Sequence, residues 1–199
     1  MDAHDWDARY AGDELTWGAA ADPTVVAVAT ALTAGRALDL GCGEGRNALW
    51  LANRGWRVTA VDFSTVALTK GHRAAAHSPR SVRDRVDWVR ADVTQVELPP
   101  NYDLVLLTYL HLPRSPRRAL LRRASAALAP GGTLLLLGHA AVAHAHFPVE
   151  PETLCLPEEL TEDLDGTGLR VVATPQGGGD DAGVATDLVV IATKPSLGS

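Results

Sequence analysis

The stretch Ala37-Leu-Asp-Leu-Gly-Cys-Gly-Glu-Gly-Arg-Asn47 decides the fold, because an apolar run ends in an acid and is followed by three alternating glycines. Gly41, Gly43 and Gly45 carry no side chain, so the backbone can adopt positive φ and approach a ligand closely before a helix begins. This arrangement predicts a buried strand followed by a loop that binds a nucleotide-type ligand.

Outward from this stretch, short apolar segments alternate with helical patterns, which is typical of βαβ units in a parallel sheet. Near the end, two predicted strands are joined by a glycine-rich turn, which indicates an antiparallel hairpin. We expect Ser64 and Ser115 to cap helices. The predicted strands are 36–40, 57–62, 86–90, 102–108, 132–138, 169–175 and 185–194, and the main predicted helices are 47–55, 64–76, 115–129 and 157–165. We expect a single domain, 1–199, with an N-terminal helical segment at 1–33 and a sheet core at 34–194.

The composition is that of a globular protein, with 199 residues of which 46% are hydrophobic. The net charge of −6 gives no general attraction to nucleic acid or to an anionic membrane. The most basic segment, 114–123, has helical spacing and is predicted to form a solvated helix face. Two cysteines, no signal-peptide pattern and no long apolar run predict a cytoplasmic protein without nucleic-acid or membrane partners.

Polar residues follow the first predicted strands at their carboxyl ends, where an open α/β sheet binds its ligand. Asp62 lies 23 positions after Asp39, about where a carboxylate grips a ribose diol, although a strand-end or helix-capping acid is the alternative. Asp92 is placed to accept from an adenine amino group while Val93 offers its amide; the alternative is a turn acid with a local bond. Phe63 is placed to pack on the adenine face or in the core.

The glycine spacing separates two kinds of cofactor. A dinucleotide-binding loop reads G-x-G-x-x-G, whereas Arg46 stands where its third glycine would fall. The spacing therefore favours an adenosyl cofactor over a dinucleotide. A nicotinamide-dependent oxidoreductase and a catalytically silent adenosyl-binding protein stay open as alternatives.

Together these motifs resemble the class I S-adenosylmethionine-dependent methyltransferases over nearly the whole chain. The residues that carry the resemblance are 38–45 as motif I, Asp62 as the motif II acid, 91–93 as motif III, 102–105 as the fourth motif and 128–134 before the fifth strand. The resemblance implies a three-layer Rossmann-like α/β fold with a seven-stranded mixed sheet of order 3-2-1-4-5-7-6 and an antiparallel seventh strand. It also implies methyl transfer from S-adenosylmethionine to a small-molecule acceptor, which leaves S-adenosylhomocysteine.

The opening Trp6-Asp-Ala-Arg-Tyr10 and Trp17, with segment 39–47, resemble the small, lid-poor tellurite-resistance and thiopurine-type methyltransferases. The resemblance implies that Trp17 covers the methionine end of the cofactor and that Arg9 and Tyr10 line the substrate side. The alternative is that the tryptophans only pack an N-terminal helix. The residues expected to contact the cofactor are Trp17, Asp39, Gly41, Cys42, Gly43, Arg46, Asp62, Phe63, Asp92, Val93 and Thr108.

Methyl transfer from an activated sulfonium needs mainly an aligned nucleophile and the exclusion of water, with a base for some acceptors. His111, just past the fourth predicted strand, is the predicted base, and a histidine that bonds a loop carbonyl is the alternative. Tyr109 and His139 are expected on the substrate side. No metal is predicted, because His139, His144 and His146 match no strong ligand spacing.

Overall fold

The computed structural model describes residues 2–139, 153–154, 156–176 and 187–196. Its helices and strands alternate over most of the chain. In chain order they are α1 (Ala3–Arg9), α2 (Pro23–Thr30), β1 (Arg36–Leu40), α3 (Arg46–Asn53), β2 (Arg57–Asp62), α4 (Thr65–Ala76), α5 (Arg80–Arg83), β3 (Val86–Arg90), β4 (Tyr102–Thr108), α6 (Arg114–Ala127), β5 (Leu128–His139), α7 (Pro157–Leu164), β6 (Arg170–Gln176) and β7 (Asp187–Thr193). Among these helices, none is long and apolar enough to cross a membrane.

The seven strands form one mixed sheet in the order β3-β2-β1-β4-β5-β7-β6. β7 runs antiparallel to both of its neighbours, β5 and β6. The structure therefore confirms the predicted strand order, the terminal hairpin and the Rossmann-like methyltransferase fold. The chain divides into two compact units, Met1–Val96 and Glu97–Ser199, and the single-domain organisation stays a prediction.

The first unit is built on three parallel strands. β1 pairs with β2, and β2 pairs with β3, with Leu38 opposite Thr59 and Ala60 opposite Trp88. Four of the five β1 residues are buried, because apolar side chains cover both faces of a strand inside a parallel sheet. Ser64 caps α4 as predicted, since its hydroxyl accepts a hydrogen bond from the Ala67 amide at 3.0 Å.

The second unit contains the other four strands. β4 runs parallel to β5 with Leu106 opposite Leu135, and β5 continues into the antiparallel ladder with β7. β5 begins at Leu128 and not at the predicted residue 132, because the backbone pairs with Tyr102 before a register shift in the β4–β5 ladder. The prediction that Ser115 caps α6 is wrong: the helix begins at Arg114, with Pro113 in the capping position.

The prediction that the basic residues of α6 form a solvated face is partly wrong. Arg118 and Arg122 are exposed as expected, but Arg117 is only 4% exposed. Its guanidinium donates to the carboxylate of Asp163 on α7 at 3.2 Å, and Asp163 is fully buried. The sequence pattern missed this contact because the acid that pairs with Arg117 lies 46 residues away on another helix.

Candidate functional site

The glycine loop after β1 has the backbone conformation that its sequence predicted. Gly41, Gly43 and Gly45 have φ of +75°, +55° and +80°. The Gly41 and Cys42 amides both donate to the Val61 carbonyl, at 2.8 and 3.0 Å, which ties the loop to the end of β2. The loop is thus fixed in a left-handed conformation that side chains rarely tolerate.

The missing side chains of Gly43 and Gly45 leave room for different neighbouring residues. A Cβ atom at Gly45 would overlap the ring of Trp88 on β3, and one at Gly71 on α4 would lie 2.7 Å from the same ring. A Cβ atom at Gly43 would lie 2.9 Å from the Tyr10 hydroxyl. The missing side chain of Gly45 therefore makes room for Trp88 and not for a ligand, which the glycine spacing alone did not reveal.

Asp39 lies at the start of this loop and is completely buried. Among the described residues, neither of its carboxylate oxygens has a hydrogen-bond partner. Burial, reinforced by the charge of Asp62, raises the pKa of Asp39 to about 7, and Arg46 acts in the opposite direction. A buried carboxylate with no partner of its own fits a ligand that brings a positively charged group.

Asp62 ends β2 and is also buried. Its carboxylate accepts hydrogen bonds from the Gly43 amide at 2.7 Å and from the Ser64 amide at 2.9 Å. Burial raises the pKa of Asp62, while these amide bonds oppose the rise. Both the glycine loop and the start of α4 therefore orient this side chain, and the neighbouring Phe63 is half-buried.

Asp92 follows β3. Its carboxylate makes local turn bonds, which was the predicted alternative to an adenine contact. Its carboxylate accepts from the Thr94 amide and hydroxyl, each at 2.8 Å, and the residue is exposed. Val93 beside it is buried. The adenine contact stays a prediction for this pair.

The N-terminal segment lies against the glycine loop within the first unit. Asp7 on α1 accepts from the Ser64 hydroxyl at 2.5 Å and from the Val66 amide at 3.2 Å. Tyr10 is buried, its hydroxyl accepts from the Trp17 indole at 3.4 Å, and burial raises its pKa. The Arg9 guanidinium lies 5.1 Å from the centre of the Trp17 ring. Trp17 as a whole remains 45% exposed.

Glu44 joins the N-terminal segment to the glycine loop, although no sequence motif predicted this role. Its carboxylate accepts from the Thr16 amide at 2.9 Å and from the Lys70 ammonium at 2.9 Å, and Lys70 also donates to the Glu14 carbonyl at 2.6 Å. Nearby, Arg46 donates to the Trp17 carbonyl at 3.3 Å. The buried pair spans 26 residues along the chain, so no local spacing predicts it.

Replacing Glu44 by glutamine is expected to loosen the N-terminal segment while leaving the loop folded. The change removes the charge that pairs with Lys70, and a hydrogen bond to a charged group contributes about 1.5–3 kcal/mol. We expect amide hydrogen exchange at Thr16 to accelerate about tenfold or more. The matched control is Glu14→Gln, because the described bond of Glu14 is made by its backbone carbonyl. Equal exchange rates in the two variants would contradict this role of Glu44.

In the second unit, four side chains meet where β4 and β5 end and β7 begins. The Nδ1 atom of His139 lies 3.1 Å from one carboxylate oxygen of Asp187, and the Tyr109 hydroxyl donates to the other at 3.3 Å. The His139 ring centre lies 4.9 Å from that of Tyr109 and 5.4 Å from that of His111. We call these four residues the His139 cluster. Asp187 was not predicted, although it stands directly opposite His139 in the β5–β7 ladder.

The remaining predicted site residues are placed as follows. Thr108 is half-buried at the end of β4, and Cys42 is a buried free thiol whose pKa is raised well above its usual value by burial. The described part of the chain contains no group of three or more potential ligands that could hold a metal ion. His144 and His146 lie outside the described residues.

Residues 37–132 match the family model described as a methyltransferase domain. Over 102 residues the chain is 36% identical to an uncharacterised methyltransferase of Mycobacterium tuberculosis, an alignment covering 50% of this chain and 48% of the relative. The chain thus spans about half the length of the curated relatives it matches.

Two solved structures have a similar fold. The glycopeptide N-methyltransferase MtfA complexed with S-adenosylmethionine has a TM-score of 0.70 and 24% identity, covering 90% of this chain and 89% of that one. A structure from work on the conversion of a disulfide bond into a thioacetal group during echinomycin biosynthesis has a TM-score of 0.75 and 21% identity, covering 99% and 93%. The sheet order and these two structures show that the chain has the Rossmann-like methyltransferase fold, and residues 37–132 match a methyltransferase domain.

Proposed function

We propose that this protein binds S-adenosylmethionine at the glycine loop and transfers its methyl group to a small-molecule acceptor, releasing S-adenosylhomocysteine. The observation that carries the proposal is the buried carboxylate of Asp39, which has no hydrogen-bond partner among the described residues and lies beside a loop of positive-φ glycines. S-adenosylmethionine carries an ammonium and a sulfonium, so it supplies the positive charge that such a carboxylate would take as a partner.

In this proposal, different residues of the first unit bind different parts of S-adenosylmethionine. Asp62 holds the ribose hydroxyls, and the Gly43 and Ser64 amides keep its carboxylate oriented for that purpose. Asp92 and Val93 contact the adenine edge, with Phe63 against its face. Because Asp62 is already buried and oriented before the ligand binds, little ordering remains to be done on binding.

The N-terminal segment would exclude water from the methionine end. Tyr10 contacts Gly43, and Trp17 is held between the Arg9 guanidinium and the Tyr10 hydroxyl. The position of Tyr10 and Trp17 over this end supports a closer relationship to the small, lid-poor methyltransferases of the tellurite-resistance and thiopurine type. Water exclusion matters because it protects an aligned methyl group from competing solvent.

Calorimetric titration with S-adenosylmethionine and S-adenosylhomocysteine tests the proposal, and Asp62→Ala is its diagnostic variant. Loss of a carboxylate that accepts ribose hydroxyls should cost about 1.5–3 kcal/mol, which weakens binding by roughly 10- to 150-fold. The control is Asp87→Ala, which removes an exposed acid on β3 and should leave the affinity unchanged.

Two outcomes would overturn the proposal. Absence of binding of either adenosyl ligand would exclude the cofactor site, as would equal affinity of the wild type and Asp62→Ala. A parallel titration with NADH separates the nicotinamide alternative, since tighter binding of the dinucleotide would favour an oxidoreductase. Formation of S-adenosylhomocysteine in the presence of acceptors separates a methyltransferase from a silent adenosyl-binding protein.

A further inference from the structure

The guanidinium of Arg9 lies over two tryptophan rings at the end of α1. Its central carbon is 5.4 Å from the centre of the Trp6 ring and 5.1 Å from the centre of the Trp17 ring. Cation–π attraction to two rings holds the side chain in one position and shields part of it from water. The residue stays half-buried, so a small molecule can still reach it.

The side-chain N–H groups of Arg9 have no acceptor in the described part of the chain. A guanidinium carries five N–H donors in one plane, and attraction to the face of a ring uses none of them. Among the described residues, neither a carboxylate nor a carbonyl oxygen accepts from this side chain. Because a guanidinium is always charged and suits planar anions, these donors fit the carboxylate of a ligand.

Trp17 links Arg9 to the glycine loop within the first unit. The Trp17 indole donates to the Tyr10 hydroxyl at 3.4 Å, and that hydroxyl lies 2.9 Å from the position of a Cβ atom on Gly43. The Trp17 carbonyl accepts from the Arg46 guanidinium at 3.3 Å. One indole therefore contacts both Arg9 and the residues around the loop, which places Arg9 beside the proposed donor site.

Of the two arginines near Trp17, Arg46 fits the carboxylate of the methyl donor. S-adenosylmethionine carries its ammonium and its carboxylate on one carbon atom, so a cation that binds the carboxylate must lie near the acid that binds the ammonium. In the proposed function that acid is Asp39. The charge of Arg46 lowers the pKa of Asp39, whereas Arg9 is not among the groups that shift it. Arg9 is therefore left for a second carboxylate.

We propose that Arg9 binds a carboxylate carried by the methyl acceptor, so that the acceptors of this protein are organic carboxylates. The planar fork of the guanidinium donates two parallel N–H bonds to such a group, and the shielding by Trp6 and Trp17 strengthens the pair. The contact binds and orients the acceptor beside the glycine loop and takes no part in the transfer of the methyl group. This inference rests on the proposed methyl transfer.

The first test asks whether Arg9 binds the carboxylate of the donor. Calorimetry compares S-adenosylhomocysteine with its decarboxylated analogue, which lacks only that group. Arg9→Met keeps a long side chain against the two rings and removes the guanidinium. The variant should bind both ligands within about threefold of the wild type, which also shows that it is folded. A loss of about tenfold or more for S-adenosylhomocysteine alone would assign Arg9 to the donor and overturn the inference.

The second test measures the preference for a carboxylate with matched acceptor probes. The probes are 4-hydroxyphenylacetate, 3-mercaptopropionate and β-alanine, each compared with its own amide, and their binding is measured by ligand-detected NMR with and without S-adenosylhomocysteine. In the wild type at least one acid should bind about tenfold or more tightly than its amide. Arg9→Met should lose this preference. Arg9→Lys should keep part of it, because lysine retains the charge without the planar fork.

Arg54→Met is the matched control, because Arg54 also lies over a tryptophan ring of the first unit, 5.1 Å from the centre of Trp50. This variant should keep the preference of the wild type. Equal binding of every acid and its amide by the wild type, or an unchanged preference in Arg9→Met, would overturn the inference. A protein that binds no S-adenosylhomocysteine would refute the proposed function instead, and the preference measured without that ligand would still decide the role of Arg9.

Discussion

Replacing Asp39 by asparagine should stabilise the ligand-free protein at pH 8 and weaken its binding of S-adenosylmethionine. The folded protein buries this carboxyl completely and raises its pKa from 3.8 to about 7. Each unit of pKa shift corresponds to about 1.4 kcal/mol, so the ionised side chain costs the fold on the order of 4 kcal/mol. Asparagine has nearly the same shape and no charge, so it avoids this cost.

The sign of the pH dependence follows from the proton count. Between about pH 4 and pH 7 the folded state retains a proton on Asp39 that the unfolded chain has released. The free energy of unfolding of the wild type therefore falls as pH rises through this window. Asp62 and Arg46 are the charged groups that act on Asp39, and both remain in the variant.

Urea unfolding at pH 4, 6 and 8 measures this effect. The variant should be more stable than the wild type at pH 8, and the two curves should converge near pH 4. Cofactor binding should weaken about tenfold or more, since the ligand loses a charged partner. Asp87→Asn, an exposed change on β3, should leave stability within about 0.5 kcal/mol at every pH. A wild-type advantage at pH 8 without ligand would refute the burial argument.

Truncation of Asp163 to alanine is expected to destabilise the protein by about 3–5 kcal/mol. Asp163 is fully buried and bonds both Arg117 at 3.2 Å and Arg114 at 3.3 Å. Its removal leaves the guanidinium of Arg117 buried, and the Nη1 atom of Arg117 already has no hydrogen-bond partner among the described residues. Breaking a buried pair costs far more than the pair contributes, because the buried charge of Arg117 then keeps only its longer contact to Glu159 at 3.5 Å.

Two further variants test whether the stability lost in Asp163→Ala comes from breaking a buried charge pair. The double variant Arg117→Met with Asp163→Leu should recover most of the lost stability, because it removes both charges and keeps apolar volume. Asp84→Ala breaks the exposed pair between Arg80 and Asp84 and should cost less than about 1 kcal/mol. A loss at Asp163 as small as that at Asp84 would show that α6 and α7 are not joined by a buried charge pair.

The sequence predicted the bounds of β1 to β4 correctly because each is a short apolar run that ends in a polar or turn residue. It also predicted the positive φ of Gly41, Gly43 and Gly45, since few other residues tolerate such a turn. Local pattern failed at β5, where Pro130-Gly131-Gly132 resembles a turn but lies inside the strand. These residues form an irregularity in the ladder with β4, because Leu128 pairs with Tyr102 and Thr133 pairs with Leu104.

The candidate site was predictable only in part, for a related reason. Asp39 and Asp62 are recognisable because they lie at fixed positions relative to the glycine loop. Asp187 was missed because its partner His139 lies 48 residues earlier, and only the strand register brings them together. Glu44 was missed likewise, since its bonds depend on where the N-terminal segment lies.

The slot that Gly45 and Gly71 form for Trp88 constrains how this sequence can evolve. Any side chain at either glycine meets the indole ring, and Gly45 also needs its left-handed backbone. Loss of Trp88 alone would leave a void beneath the loop. The three positions therefore form an epistatic group in which most single changes are deleterious. Drift at Gly71 should become tolerable only in lineages that have first exchanged Trp88 for a smaller residue.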